Sequence, residues 1–431
     1  MKLMKNYETL KTKILAGGGR HFVQLYGAGA GVAEYQTCRY VSALERFKSF
    51  SGLHSPQFFS APGRTEIGGN HTDHNNGMVL AGAVNIDNIA VAAANGSGTV
   101  RIESFGYPSF EVSLHELQPV EAEKNTPASL VRGIASRLQE LGFGTGGFDA
   151  VIDGCVPKGS GLSSSASFEV LVGTIFNHLF NNGTVMPVCI AQTGQYAENV
   201  YFGKPCGLMD QVACTCGGFV AIDFADTANP AIRKIAFDLS KSNFSLVITN
   251  TGGSHENLTP EYASVFAEMK SVAGFMGAKT LRGASLEKTL EALPEMRNAT
   301  GDRAILRAIH FYNENTRVAK QVAALERNDF NTFLELVTES GYSSYMLNQN
   351  VYTTNSRHEQ SVALGLAISE LLLKGRGAWR VHGGGFAGTI QAFVPENMSA
   401  EYIRSMEHIF GAKACNKLLI REKGAIRVDL S

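Results

Sequence analysis

The sequence lacks a cysteine framework. Its seven cysteines are an odd number scattered along 431 residues, and none forms a C-x-x-C pair. Cys214-Thr215-Cys216 has the wrong spacing for most zinc sites, with no second pair nearby. Reduced, mostly buried thiols are expected. An excess of charge is missing too. Thirty-eight basic and 39 acidic residues leave a formal net charge of -1, and no Lys/Arg-rich run occurs. Nothing here pulls the chain toward nucleic acid or a membrane surface over long range. Long hydrophobic runs are also absent. The stretch Val362 to Leu373 is too short to span a bilayer and contains Glu370. Residues Met1 to Arg20 are punctuated by Lys, Glu and Gly and lack the apolar core of a signal peptide. The expectation is a soluble cytoplasmic protein with no nucleic-acid or membrane partner. No repeat and no low-complexity linker divides it.

What is present is a globular composition, 44% hydrophobic and 18% charged, in a chain long enough for two or three domains. The reading turns on Val156-Pro157-Lys158-Gly159-Ser160-Gly161-Leu162-Ser163-Ser164-Ser165-Ala166-Ser167-Phe168-Glu169-Val170-Leu171. Phe148 to Asp153 before it alternates as a strand does, and the residues after it to Phe180 have helical apolar spacing. A strand therefore feeds a Gly/Ser loop that opens a helix. Backbone N–H groups and the helix N-terminus make such a loop an anion site, most simply for phosphate. The serines could cap the helix or reach a metal ion. It is not the G-x-x-x-x-G-K-[ST] phosphate loop, because no Lys follows the second glycine at the required place. A plain Ser-capped helix remains the alternative at this point.

Upstream, Asn6 to Ser51 reads as helices broken at Gly17 to Gly19 and at Gly27 to Gly31. The segment Ala61 to Leu80 is polar and glycine-rich between apolar stretches. It gathers Arg64, Asn70, His71, Asp73 and His74, donors and acceptors suited to sugar hydroxyls. Metal binding by His71, Asp73 and His74, or an ordinary Asx-rich turn, are the competing readings. Ile89 to Ala94, Thr99 to Phe105 and Ser109 to Leu114 look like antiparallel strands with short connections. Pro127 to Leu141 and Val188 to Tyr201 are expected helices. Asp210 follows Pro205 and Gly207 among apolar neighbours, as a helix cap or as a working carboxylate. Gly217 to Phe224 and Phe244 to Asn250 are expected strands. From Thr259 to Gly375 the pattern is helical. His382-Gly383-Gly384-Gly385-Phe386-Ala387-Gly388 then precedes a strand at Ile390 to Val394, permitting close backbone approach to a ligand or making a hairpin turn. Helix, strand, strand follow at Glu401 to Phe410, Lys417 to Arg421 and Ile426 to Leu430.

Taken together and in this order, Ala61 to Leu80, the serine loop and His382 to Gly388 resemble the three motifs of the GHMP small-molecule kinases, in their galactose-phosphorylating branch. Lys204 to Gln211 is similar to the segment holding the family's catalytic Asp, and Asp302 to Arg317 to a further family helix. The resemblance runs from about Phe58 onward. It implies an α+β, two-domain GHMP kinase fold. A mixed sheet with helices (ribosomal S5 domain 2-like) would span 56–245 and a ferredoxin-like α+β domain 246–431, after a helical extension at 1–55. It implies ATP and Mg²⁺ as cofactors and a small sugar as the other partner, in a monomer or weak homo-oligomer. Asp210 and Arg64 would be catalytic. Arg64, Asn70, His71, Asp73, Gly207, Asp210 and Tyr262 would bind the sugar. Lys158, Gly159, Ser160, Gly161, Leu162, Ser163, Ser164, Ser165 and Ala166 would bind ATP, and Ser165 and Glu198 the metal.

The chain departs from the family at four motif positions, and the Arg-rich run that usually follows the Glu-Tyr pair is missing after Tyr262. Glu66 replaces an Asn, Asn70 a Glu near the sugar's primary hydroxyl, His74 a Tyr and Ala387 a Gly. The implied reaction is phosphorylation of the galactose C1 hydroxyl. Because Asn70 would no longer repel a carboxylate, a kinase for a sugar such as galacturonate is the alternative. A non-catalytic sugar and ATP sensor is the alternative from another class, which need not keep the serine loop and Asp210.

Overall fold

The computed structural model describes residues 2–52, 55–157, 159–253, 258–354 and 357–429. Twelve strands occur among them: β1 (Gln57–Gly68), β2 (Met78–Ala94), β3 (Thr99–Ser104), β4 (Phe110–Ser113), β5 (Phe148–Gly154), β6 (Phe219–Asp223), β7 (Ala231–Ile235), β8 (Phe244–Asn250), β9 (Ala378–His382), β10 (Thr389–Pro395), β11 (Cys415–Leu418) and β12 (Ile426–Val428). They make an eight-stranded mixed sheet and a four-stranded antiparallel one. The order in the first is β12-β1-β2-β5-β3-β4, with β6 and β7 added along the other half of β2. The second sheet runs β11-β8-β10-β9, and a helix after β10 leads to β11. Numbered by appearance, that order is 4-1-3-2 in a βαββαβ chain, the ferredoxin-like arrangement. The expected α+β architecture is therefore present.

The large sheet is covered on both faces. Phe59, Ala61, Ala90, Ala92, Ala150 and Ile152 pack against helices Pro127–Glu140 and Ser164–Phe180. The intervening Phe58, Ile89, Val91 and Val151 pack against Tyr7, Ile14, Phe22, Tyr40, Leu44 and Phe47 of helices Lys2–Tyr26 and Val32–Phe50. The N-terminal helices are thus a full layer of the fold. Two covered faces explain why β2 is nearly continuous in apolar residues and why β1 is buried along almost its whole length. A third core, including Ile67, Leu80, Leu162, Leu246, Ile248 and Phe393, joins the two sheets.

Several expectations need correction. Helix Lys2–Tyr26 runs through Gly17 to Gly19 without a break. The apolar stripe it buries outweighs the ~1 kcal/mol that each glycine costs. Only the second glycine cluster breaks the chain, with Gly27 and Gly31 at positive φ. β2 and β3 do not pair. β5 inserts between them, antiparallel to β2 and parallel to β3. The strand β7 carries no apolar alternation and is not visible in the sequence. β11 ends at Leu418, earlier than expected. The 246–431 stretch does not stay in one sheet either, because β12 crosses back to β1, with Phe58 opposite Val428. Among the described residues no helix is long and apolar enough to cross a membrane.

Candidate active site

Arg64 lies within β1, although its segment is polar and glycine-rich. Register shifts fall on either side of it, between Pro62 and Arg64 and between Glu66 and Gly68. Such bulges re-aim side chains. Here they send the guanidinium to Asp210, at the start of helix Met209–Cys216. Nε reaches Oδ1 at 2.6 Å and Nη2 reaches Oδ2 at 2.5 Å, a bidentate pair. Nη1 donates to the Gly161 carbonyl of the Gly/Ser loop. Ser163 donates to Asp210 Oδ2 at 2.5 Å. Burial alone would raise the Asp210 carboxyl, but Arg64 and then Ser163 outweigh it and hold it below the ordinary carboxylate range. Its side chain still keeps 30% of its surface exposed, against 9% for Arg64, so the carboxylate faces an opening.

The loop has the geometry of an anion cradle. Gly159 and Gly161 sit at φ 72° and 71°, and Ser163 at φ 61°. No side chain caps helix Ser164–Phe180, whose first N–H groups are left for a ligand. Leu162 and Ala166 are fully buried beneath it. The Ser160 hydroxyl turns back onto the Pro157 carbonyl at 2.7 Å. Lys158 lies outside the described residues. His382 packs under Gly161, its ring bonded to Thr65 and Thr389 at 3.0 Å each. A Cβ on Gly161 would stand 2.9 Å from that ring.

Glu198 occupies a π-helical turn, Ala197–Phe202, that widens the end of helix Pro187–Tyr196. The expected plain helix to Tyr201 is thus interrupted at Glu198. Gly203 and Lys204 both donate their backbone N–H to the Glu198 carbonyl. The Glu198 side chain meets Ser165 Oγ at 3.3 Å and Lys204 Nζ at 3.2 Å. Gln211 bridges it to Glu169, at 3.2 and 2.9 Å. Sequence reasoning missed Glu169. Its one signal is a carboxylate between Phe168 and Val170 on an otherwise apolar helix face. Burial, then the nearby Glu198 charge, pushes it well above the usual range, and its Oε1 is buried without a partner. A hydroxyl and a carboxylate this close suit one hard cation completed by phosphate oxygens and water, the usual Mg²⁺ pattern. Among the described residues no group of three or more His, Cys, Asp or Glu could hold a metal by itself. His71, Asp73 and His74 therefore do not form one.

The turn after β1 brings Asp73 beside this centre. A Cβ on Gly207 would clash with Asp73 Oδ2, so any larger residue there would push the Asp73 carboxylate aside. His71, at φ 57°, bonds the Gly384 carbonyl at 2.9 Å. Burial holds its imidazole down to about 4. Tyr262 donates to the Gly385 carbonyl at 3.0 Å and packs on Phe386. Both side chains thus reach the third glycine motif.

Asn70 is different. It is fully buried. Its Nδ2 donates to Glu66 Oε1 at 3.0 Å and to the Gly383 carbonyl at 2.8 Å. Its Oδ1 accepts from Asn350 at 2.9 Å and Ser344 at 3.2 Å. All four hydrogen-bonding positions of the amide are used within the protein. Glu66 is likewise buried and paired with Arg380 at 2.6 Å. The amide expected to read the sugar is here engaged by protein partners. Helix Asp302–Glu326 also supports the turn. Glu314 accepts the Gly69 N–H at 3.0 Å, and Asn315 the Met78 N–H at 2.7 Å.

Comparison with known proteins agrees with this geometry. Residues 129–218 match the GHMP kinases N terminal domain, and residues 45–94 match the galactokinase galactose-binding signature. The second match starts within helix Val32–Phe50, earlier than the motif resemblance from Phe58. A galactokinase from Streptomyces coelicolor is 29% identical over 373 residues, covering 85% of this chain and 92% of its own. The crystal structure of Lactococcus lactis galactokinase complexed with galactose superimposes with a TM-score of 0.75 at 25% identity, covering 89% of this chain and 98% of that one. The mevalonate kinase of Methanococcus jannaschii shares the fold, at 14% identity and a TM-score of 0.61 over 85% of this chain and 98% of that one.

Proposed function

We propose that the chain is a sugar kinase of the GHMP class that transfers the γ-phosphoryl group of ATP to the anomeric C1 hydroxyl of galactose. The observation that carries this reading is the Arg64–Asp210–Ser163 constellation, set between the phosphate cradle and the turn bearing Asp73. Phosphoryl transfer needs an aligned hydroxyl and a preorganised site for the phosphates. The loop N–H groups and the uncapped helix N-terminus bind the phosphates. Asp73 accepts from sugar hydroxyls next to Gly207. Asp210, held ionised by Arg64, accepts from the attacking hydroxyl and aims it. A carboxylate with a lowered pKa is a weak base, so it takes the proton late, as the new P–O bond forms. Ser165 and Glu198 would hold Mg²⁺, which when bound supplies charge neutralisation at the phosphates.

The galacturonate alternative is the less favoured reading. It required Asn70 to face carbon 6, and the Asn70 amide is saturated within the protein. The test is ATP consumption by purified protein with galactose, galacturonate, glucose and no sugar. Turnover dependent on galactose is expected. Faster turnover with galacturonate would overturn the substrate. Binding of ATP and galactose with no turnover would make the chain a sensor instead.

A further inference from the structure

We infer that Arg39, in the N-terminal helical layer, is a positioning residue for the nucleotide phosphates, on the reading that the Gly/Ser loop binds ATP. Helix Val32–Phe50 carries Arg39 onto the last residues of β5, directly upstream of the loop. Its Nε reaches Asp153 Oδ2 at 2.7 Å, and Nη2 reaches the Asp153 carbonyl at 2.7 Å. Nη1 reaches Asp87 Oδ1 at 2.6 Å, and Nη2 also reaches the Asp87 carbonyl at 3.0 Å. That carbonyl in turn accepts the Cys155 N–H at 3.0 Å. One guanidinium thus ties the end of β5, from which the loop departs, to Asp87 in the middle of β2.

Packing alone does not fix this junction. A cavity of about 450 Å³ opens beside Arg39, lined by Tyr35, Gln36, Asn85, Asp87 and Cys155 among others. Beyond the β2–β5 ladder, directional ionic bonds hold the chain there. Asp87 is itself fixed by Arg421 at 3.0 Å and Tyr26 at 2.7 Å, and it is fully buried. The loop is therefore anchored at both ends by different arginines. Arg64 takes the far end, through its backbone N–H to the Leu162 carbonyl at 3.0 Å and its side chain to Gly161. Arg39 takes the near end. Only Arg64 also touches Asp210 on the sugar side. Loosening Arg39 must then disturb the phosphate N–H groups and leave the sugar contacts in place.

The test compares the full-length chain with Arg39→Lys and Asp153→Asn. Lysine keeps the charge but cannot make the forked contacts. The Asp153 side chain is 24% exposed, so its variant loses one anchor contact without leaving a buried gap. ATP affinity is measured by calorimetry without sugar, and KM for galactose separately. The expected result is a Kd for ATP raised about tenfold in Arg39→Lys and a few-fold in Asp153→Asn, with KM for galactose changed less than about twofold. Should Arg39→Lys fail to fold, Asp153→Asn decides. Unchanged ATP affinity, or equal damage to ATP and galactose, would overturn the inference. A wild-type chain that binds no ATP would instead sink the kinase reading on which it rests.

Discussion

At the scale of single residues, Asp210 and Asn70 show opposite uses of a buried polar group. Asp210 is paired yet leaves 30% of its side chain at an opening. Asp210→Asn keeps the shape and removes the charge that aims the hydroxyl. We expect turnover to fall about 10²-fold or more while ATP affinity is nearly kept, read by steady-state kinetics beside calorimetry. A near-normal kcat in that variant would remove Asp210 from the mechanism. Asn70 has no such opening. Asn70→Glu sets a second carboxylate against Glu66, whose carboxyl burial already pushes up. The expected cost is about 2–4 kcal/mol of stability, seen as a lower Tm. Any loss of kcat/KM should then be the same for galactose and galacturonate. A loss confined to the uronate would return Asn70 to the sugar pocket.

At the scale of elements, the phosphate loop depends on the third glycine motif beneath it. Gly161→Val adds a Cβ against the His382 ring at a φ that valine rarely adopts. ATP affinity should fall at least about tenfold, and an unchanged Kd in a folded variant would count against the cradle. This element was legible in the sequence because strand, loop and helix are neighbours along the chain. Asp210 was legible for a related reason, as a lone carboxylate in a Gly-Leu-Met context. The surroundings of Arg64 were not. β1 is buried on both faces, so it shows no period-two alternation, and its glycines mask the strand. Nor could the sequence reveal that Asn70 is spent on Gly383, or that Glu66 pairs with Arg380. Those partners lie more than 300 positions apart. The π-helical turn at Glu198 was hidden because its composition is ordinary for a helix.

At the scale of the molecule, three imidazoles sit where the two sheets meet. His382 bonds Thr65 and Thr389, His310 bonds Ser343 and the Asn70 carbonyl, and His71 bonds the Gly384 carbonyl. Burial holds all three below the ordinary histidine value, to about 4 for His71. Each is neutral in the fold, whereas the unfolded chain binds protons below about pH 6.5. Stability is therefore full above that pH and falls as the pH drops toward the folded values. Against its burial, Arg317 and Arg380 hold Glu314 below the ordinary carboxylate range, so its contribution fades only at still lower pH. The expected outcome is a Tm that declines by about 5 °C or more between pH 7 and pH 5, before ordinary carboxylate titration begins. A flat Tm across that interval would refute this account.

The return of β12 to β1 carries a consequence in time. During synthesis Phe58, Phe59 and Ser60 leave the ribosome long before their partners Val428, Arg427 and Ile426 exist. The large sheet comes first in the chain, yet it closes last. Until then one edge of β1 stands open, with backbone donors and acceptors that any other extended chain could occupy. The small ferredoxin-like sheet is complete once β11 has emerged, so the nascent chain passes through a state with a finished second half and an unfinished first.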